Sequence, residues 1–301
     1  VAEFTVFYSW QSDLPRKLTR DVIHAACASA IERLKVDASL EDAPRLDHDT
    51  QEIPGTPEIA GTIFAKIREA GLVIADVSLV GQTTNPNKKP KLLPNPNVLA
   101  ELGYAAAKVG WDRLILVMNT EHGPPEELPF DLKHRRFPVT FRLGQGSRAS
   151  LEGVQAKLSE QIEDAIRAAL QHEHATVDEI IASLDLHTIQ FLKKFGESEA
   201  IVTQERKTMG EILGNLYTDA AITKMLDRKV LRCNFHHADQ RYVYVWTYIG
   251  KRVLHALGVR RTPPQQSPTD LEKFFFSVST TDVAQAAEAG EAKSPGEPTG
   301  Q

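Results

Sequence analysis

Apolar runs of strand length alternate, along the first half of the chain, with stretches whose apolar positions recur every three or four residues. Residues 4–10, 72–77 and 113–119 are β-branched or aromatic runs bounded by turn residues, the pattern of strands buried on both faces. Between them, Leu18, Val22, Ile23, Ala26, Ala30, Ile31 and Leu34 form one helical stripe and Ile59, Ile63, Ile67 and Ala70 another. A third helix starts in Pro94-Asn95-Pro96-Asn97: asparagine at the N-cap can accept an orphan backbone N–H, and proline at the first helical position has no N–H to lose. A short extended segment at 45–50 and an edge strand at 136–142, where Pro138 cannot donate to a ladder, complete five strands. The amphipathic stretch 151–170 closes the set. Five strands alternating with helices predict an α/β fold, a flavodoxin-like parallel five-stranded sheet with helices on both faces. Residues 80–94, rich in Asn, Pro and Lys, read as a long loop ahead of the third helix.

The second half has another pattern. Residues 186–195 and 208–216 read as helices, and Thr218 is a candidate N-cap for a third. Residues 230–235 and 241–246 alternate across a polar turn as a hairpin does, and Thr247 caps a last helix. Three helices, a hairpin and a helix resemble a small winged-helix-like α+β domain. The expected organisation is 1–171 as the first domain, 172–184 as a polar, partly helical connector with His172-Glu173-His174 in solvent, 185–262 as the second domain, and 263–301 as a tail. The tail carries a Phe274-Phe275-Phe276 cluster that could dock on the body or a partner, and is disordered from 280 on composition.

Composition narrows the function. The chain has 301 residues and a net charge of -5. Residues 180–262 carry 13 Lys/Arg against 8 Asp/Glu, so the second domain is basic and the remainder acidic. Lys224, Arg228 and Lys229 on the third helix, with Arg232 and Arg241 on the hairpin, make 218–246 a candidate nucleic-acid surface; protein contact is an equal use of such a domain. The two cysteines, Cys27 and Cys233, have neither disulfide-framework nor zinc-ligand spacing. No long apolar span or signal-like start is present, so a cytoplasmic protein without membrane contact is expected.

In parallel sheets with helices on both sides, ligands bind beyond the carboxyl ends of the strands. That rim collects Tyr8, Ser9 and Trp10 after the first strand, Asp47 and Asp49 after the second, Asp76 and Ser78 after the third, Asn119 after the fourth, and Asn97 and Glu101 on the helix that follows the third strand. Asp47, His48 and Asp49 look like a metal cluster, but strand alternation sends His48 to the other face, and no metal is expected. Asp76 can bind a ligand at this rim or merely cap a turn; Trp10 can face a ligand or belong to the core; Lys88, Lys89 and Lys91 can bind an anionic ligand or solvate a loop. No glycine-rich dinucleotide or NTP grip occurs.

Phe7-Tyr8-Ser9-Trp10 with Asp13, Pro54-Gly55, Ala75-Asp76-Val77-Ser78 and Asn95-Pro96-Asn97-Val98-Leu99-Ala100-Glu101-Leu102-Gly103-Tyr104-Ala105 resemble bacterial TIR-like domains and the related nucleoside 2-deoxyribosyltransferases. The resemblance covers about the first 145 residues. It implies that Glu101 is catalytic and acts on an N-glycosidic bond, with Asp76 or Asn97 able to hold ribose hydroxyls, Trp10 or Tyr8 to stack on a base, and Lys88, Lys89 and Lys91 to meet a pyrophosphate. It further implies NAD as a substrate rather than a bound cofactor, cleaved to nicotinamide and linear or cyclic ADP-ribose in anti-phage defence or signalling, and a homo-oligomer or an assembly with a defence-system partner. Two alternatives stand beside it. One is a non-catalytic regulator that binds a nucleotide signal and carries a DNA-binding winged helix; the other is a deoxyribosyltransferase-like enzyme.

Overall fold

A computed structural model describes residues 4–37, 44–47, 59–84, 87, 89–135, 137–147, 150–198, 200–202, 216–236 and 241–259. The first unit is a five-stranded sheet of β1 (Phe4–Ser9), β2 (Pro44–Asp47), β3 (Leu72–Asp76), β6 (Leu114–Asn119) and β7 (Val139–Phe141), in the order β2-β1-β3-β6-β7. All four pairings are parallel. This is the α/β fold expected from the apolar runs, with the edge at β7. The strand order reverses between β1 and β3, so the ligand crevice of such a fold opens at their carboxyl ends.

Strand alternation divides the core in two. Phe4, Val6, Tyr8, Leu72, Ile74, Ile115 and Val117 pack against α1 (Arg20–Lys35) and α5 (Leu151–Ala182). On the opposite face, Phe7 and Val73 pack with α2 (Ile59–Glu69), and Ala75, Leu116 and Met118 with α3 (Pro96–Lys108). Leu132 of the short α4 (Phe130–Lys133) joins the α3 cluster. The α1–α5 pair is also tied at its surface, where Arg33 bonds Glu163 and Ser159, and Arg167 bonds Asp37 and Glu163.

Three features depart from the expected boundaries. Part of the stretch read as a loop before α3 is a two-stranded antiparallel hairpin, β4 (Leu79–Gln82) and β5 (Leu92–Pro94). It is held because Leu79 and Leu92 join the apolar cluster of α3 and close on Gly123, whose φ of 140° suits only glycine. Helix α5 does not stop at 170 but runs through the supposed connector to Ala182, because Val177 and Ile180 enter the second core. Glu173, expected in solvent, is 2% exposed.

The second unit comprises α6 (Leu186–Phe195), β8 (Ala200–Val202), α7 (Leu216–Asp227), β9 (Leu231–His236), β10 (Arg241–Trp246) and α8 (Tyr248–Ala256). The expected hairpin forms, β9 pairing antiparallel with β10 from Leu231 opposite Trp246 to His236 opposite Arg241, and β8, which the apolar pattern does not announce, adds to it in the order β8-β10-β9. Thr247 caps α8 by accepting from Gly250 N. Thr218 lies inside α7 rather than before it. The expected helix 208–216, apart from Leu216 at the start of α7, Pro54-Gly55 and the tail from 263 lie outside the described residues.

Helix α8 mounts this unit on the amino ends of the parallel strands. Tyr248 meets the Phe4 ring edge-on at 6.5 Å and lies under the Arg113 guanidinium at 5.0 Å. Its hydroxyl donates to Glu173 at 3.2 Å, and Arg252 Nε donates to the same carboxylate at 2.9 Å. Lys251 pairs with Glu69 at 2.6 Å. The second unit therefore sits at the pole opposite the carboxyl rim. Among the described residues no helix is long and apolar enough to cross a membrane.

Candidate active site

Ser9 ends β1 and is 1% exposed. Its position opposite Ala75 in the β1–β3 ladder turns it toward the α3 side of the sheet. Glu101 arrives from the second turn of α3, and the Ser9 hydroxyl donates to its Oε2 at 2.5 Å. Among the described residues the other carboxylate oxygen takes no hydrogen bond. Burial pushes the Glu101 carboxyl above its ordinary range, while the Ser9 hydroxyl pulls it back. The pair is thus a half-buried carboxylate with one oxygen anchored and one available, at the rim where the fold opens.

The entry of α3 fixes this geometry. Asn95 Oδ1 accepts from Asn97 N at 2.8 Å and Val98 N at 3.1 Å, the N-cap expected from the sequence, and Asn95 Nδ2 donates to Asp13 Oδ2 at 2.7 Å. Asn97, one turn ahead of Glu101, is exposed. Asn95→Ala is expected to cost about 1–2 kcal/mol, since both the cap and the tie to Asp13 go; urea denaturation of the full chain measures it.

The remaining candidates do not converge on Glu101. Tyr8 and Asp76 lie on the α1 side of the sheet by the same alternation that puts Ser9 on the other. Tyr8 is fully enclosed among Val22 and Ile23, and its ring has no route to a ligand at the rim. Asp76 is 0% exposed: Oδ1 accepts from Ser78 N at 3.0 Å and Oδ2 from Gln11 Nε2 at 3.2 Å. Burial raises its pKa, and the Ser78 and Gln11 donors oppose the rise. Ser78 Oγ accepts from Asn119 N at 2.9 Å. Asn119 spans Leu18 O, Leu143 O, Glu121 N and Leu143 N, fastening three loops. Trp10 is half-buried with the Arg20 guanidinium 3.3 Å over its ring.

Asp47 pairs with Lys66 of α2 at 2.8 Å, both side chains largely buried. Its neighbours in the acidic cluster of the sequence, His48 and Asp49, lie outside the described residues, as does Lys88. Lys89 is exposed and reaches only as far as Glu127 at 3.5 Å; Lys91 is exposed. Burial lifts the Cys27 thiol to about 12, so it is no nucleophile.

Two features escape a reading of local pattern. Gln11, 3% exposed, bonds Asp76, Asp13 N and Leu14 N, although as Gln11-Ser12-Asp13 it reads only as a strand breaker. The Phe64 and Tyr104 rings meet at 4.6 Å between α2 and α3, one turn beyond Glu101. No sequence signal links residues so far apart.

Of the basic residues offered as a nucleic-acid surface, Lys224 is committed to Ser183 O and to Asp185. Arg232 lies near enough to Glu69 to lower its pKa, together with Lys251 and Arg68. Arg228, Lys229 and Arg241 keep some or full exposure. The chain matches no protein-family model, and no curated protein matches its sequence.

Proposed function

We propose that the chain is a TIR-like hydrolase of the nicotinamide–ribose bond of NAD, with Glu101 as its catalytic carboxylate. The observation that carries this is the Ser9–Glu101 pair, a half-buried carboxylate at the carboxyl rim of a parallel sheet, with one oxygen held by Ser9 and the other without a hydrogen bond among the described residues. Cleavage of an N-ribosyl pyridinium passes through an oxocarbenium-like state. As the C1′–N bond breaks, its electron pair goes to the ring nitrogen and nicotinamide leaves neutral, without a general acid. The chemical need is a fixed negative charge beside C1′, worth most where water is excluded. Water then completes ADP-ribose, or an internal nucleophile closes a ring. Asn97, exposed one turn away on the same helix face, would meet a ribose hydroxyl.

The order helix, strand, helix, hairpin, helix in the second unit supports a winged-helix-like sensing or recruiting module. Engagement of Lys224 and Arg232 within the protein leaves less charge for DNA and favours a protein partner.

The test is nicotinamide release from NAD by the full chain at high protein concentration, with product mass distinguishing linear from cyclic ADP-ribose. Stoichiometric NAD or ADP-ribose binding without turnover would instead indicate a signal-binding regulator. The active form is the carboxylate and its pKa is raised, so activity falls on acidification with a midpoint above the ordinary glutamate range. Ser9→Ala removes the one interaction that lowers this pKa, so the acid limb of the pH–rate profile moves further up.

A further inference from the structure

Ser9 and Glu101 come from segments 92 residues apart, and their contact depends on how the exit of β1 is fixed against the entry of α3. The side chain of Gln11 ties the β1 exit loop to the end of β3. Its Oε1 accepts from Asp13 N at 2.6 Å and Leu14 N at 3.0 Å, curling the chain immediately after Trp10. Its Nε2 donates to Asp76 Oδ2, at the buried end of β3. Asp13, oriented by that curl, accepts from Asn95, whose other amide atom caps α3. An unbroken line of hydrogen bonds thus runs from Asp76 on one side of the sheet, through Gln11, Asp13 and Asn95, to the helix that carries Glu101 on the other.

We infer that Gln11 is a positioning residue that holds the Ser9 hydroxyl against Glu101, acting through the β1 exit loop and without itself touching the substrate. Its consequence for catalysis rests on the hydrolase reading, but the positioning itself is a property of the free protein. Only a long amide fits the place. It must accept two N–H bonds and donate one to a carboxylate. A glutamate side chain would accept the first two and set a second carboxylate against Asp76, methionine would fill the space and make none of the three, and asparagine is one methylene short. Exchanging the roles restores these three bonds. In Gln11→Glu/Asp76→Asn, the carboxylate introduced on the β1 exit loop accepts from both backbone N–H groups and from the amide introduced at the end of β3, and the oxygen of that amide keeps Ser78 N.

The experiment follows the Glu101 carboxyl directly, by carbon-13 NMR titration of side-chain carboxylates in the full chain, with the resonance assigned by its loss in Glu101→Gln. Burial and the Ser9 bond are the influences on this carboxyl, and no charged side chain among the described residues contributes. Gln11→Met is expected to raise the Glu101 pKa as far as Ser9→Ala does. The Ser9→Ala/Gln11→Met double variant is expected to raise it no further, the non-additivity of two groups acting through one contact. The exchanged pair Gln11→Glu/Asp76→Asn is expected to return it to the wild-type value. An unchanged pKa in Gln11→Met, or additive shifts in the double variant, overturns the inference. If Gln11→Met does not fold, the exchanged pair against Gln11→Glu alone decides: restoration supports the inference and equal displacement in both overturns it. In turnover, kcat should fall with KM little changed in Gln11→Met and recover in the exchanged pair. Absence of turnover in the wild type would fail the hydrolase reading and leave the titration result standing by itself.

Discussion

Glu101→Gln is expected to abolish nicotinamide release, a loss on the order of 10³-fold or more, while leaving the fold intact. The size follows from what the carboxylate supplies. In the proposed reaction a fixed negative charge facing C1′ would stabilise the positive charge that grows on the ribose only as the bond breaks, acting on the transition state more than on bound NAD. Glutamine keeps the shape and can accept from Ser9 Oγ, so the charge alone is removed. Stability should not suffer. The Glu101 pKa is raised in the folded state, so the carboxylate is penalised on folding at any pH above that value. The neutral amide escapes the penalty, and the variant should be as stable as the wild type, or slightly more so, at neutral pH. Product analysis and denaturant unfolding on one preparation check both halves. Full activity in the variant, or loss of activity by unfolding, would each defeat the assignment of Glu101.

Arg252→Met carries the largest expected cost in stability, about 3–5 kcal/mol, because it leaves the Glu173 carboxylate buried without its guanidinium. Glu173 has a fully buried side chain and Arg252 is 11% exposed at its own. The Tyr248 hydroxyl bonds the same carboxylate, so the three groups bind α5 to α8 and close the joint between the two units. Glu173→Gln with Arg252→Met should cost clearly less than the sum of the single changes, since the first removes the charge that the second strands. Urea unfolding followed by tryptophan fluorescence reads these differences. Trp10 and Trp111 report on the first unit and Trp246 on the second, so a single transition in the wild type that splits in Arg252→Met would show the joint to be what makes the two units unfold together.

Periodicity carries most of the architecture. The continuous apolar runs at β1, β3 and β6, the stripe of α1 and the proline-led start of α3 are each local, and each element lies where its pattern places it. The hairpin β9–β10 and the Thr247 cap are equally plain. Local pattern misleads where a segment's structure depends on something distant. The β4–β5 hairpin contains too few apolar residues to declare itself and exists because Leu79 and Leu92 find the α3 cluster and a glycine beside it. The polar stretch His172-Glu173-His174 suggests solvent because charge usually means solvent; a tyrosine and an arginine about 75 residues later offset the burial of Glu173.

The rim shows the same division. Which residues end the strands is written in the chain: Ser9, Asp76 and Asn119 terminate apolar runs, and Glu101 follows a clear helix start. Alternation even specifies that neighbouring positions face opposite ways. What the chain alone leaves open is which side of the sheet α3 covers, and so which of these polar groups it meets. The parallel register of β1 with β3, and the crossover that lays α3 over Ala75, bring Ser9 to Glu101 and turn Asp76 and Tyr8 toward α1. Periodicity is set by local backbone geometry and is legible from neighbours in sequence; the pairing of a serine with a glutamate 92 residues away is set by register and layer packing, which only the assembled sheet decides.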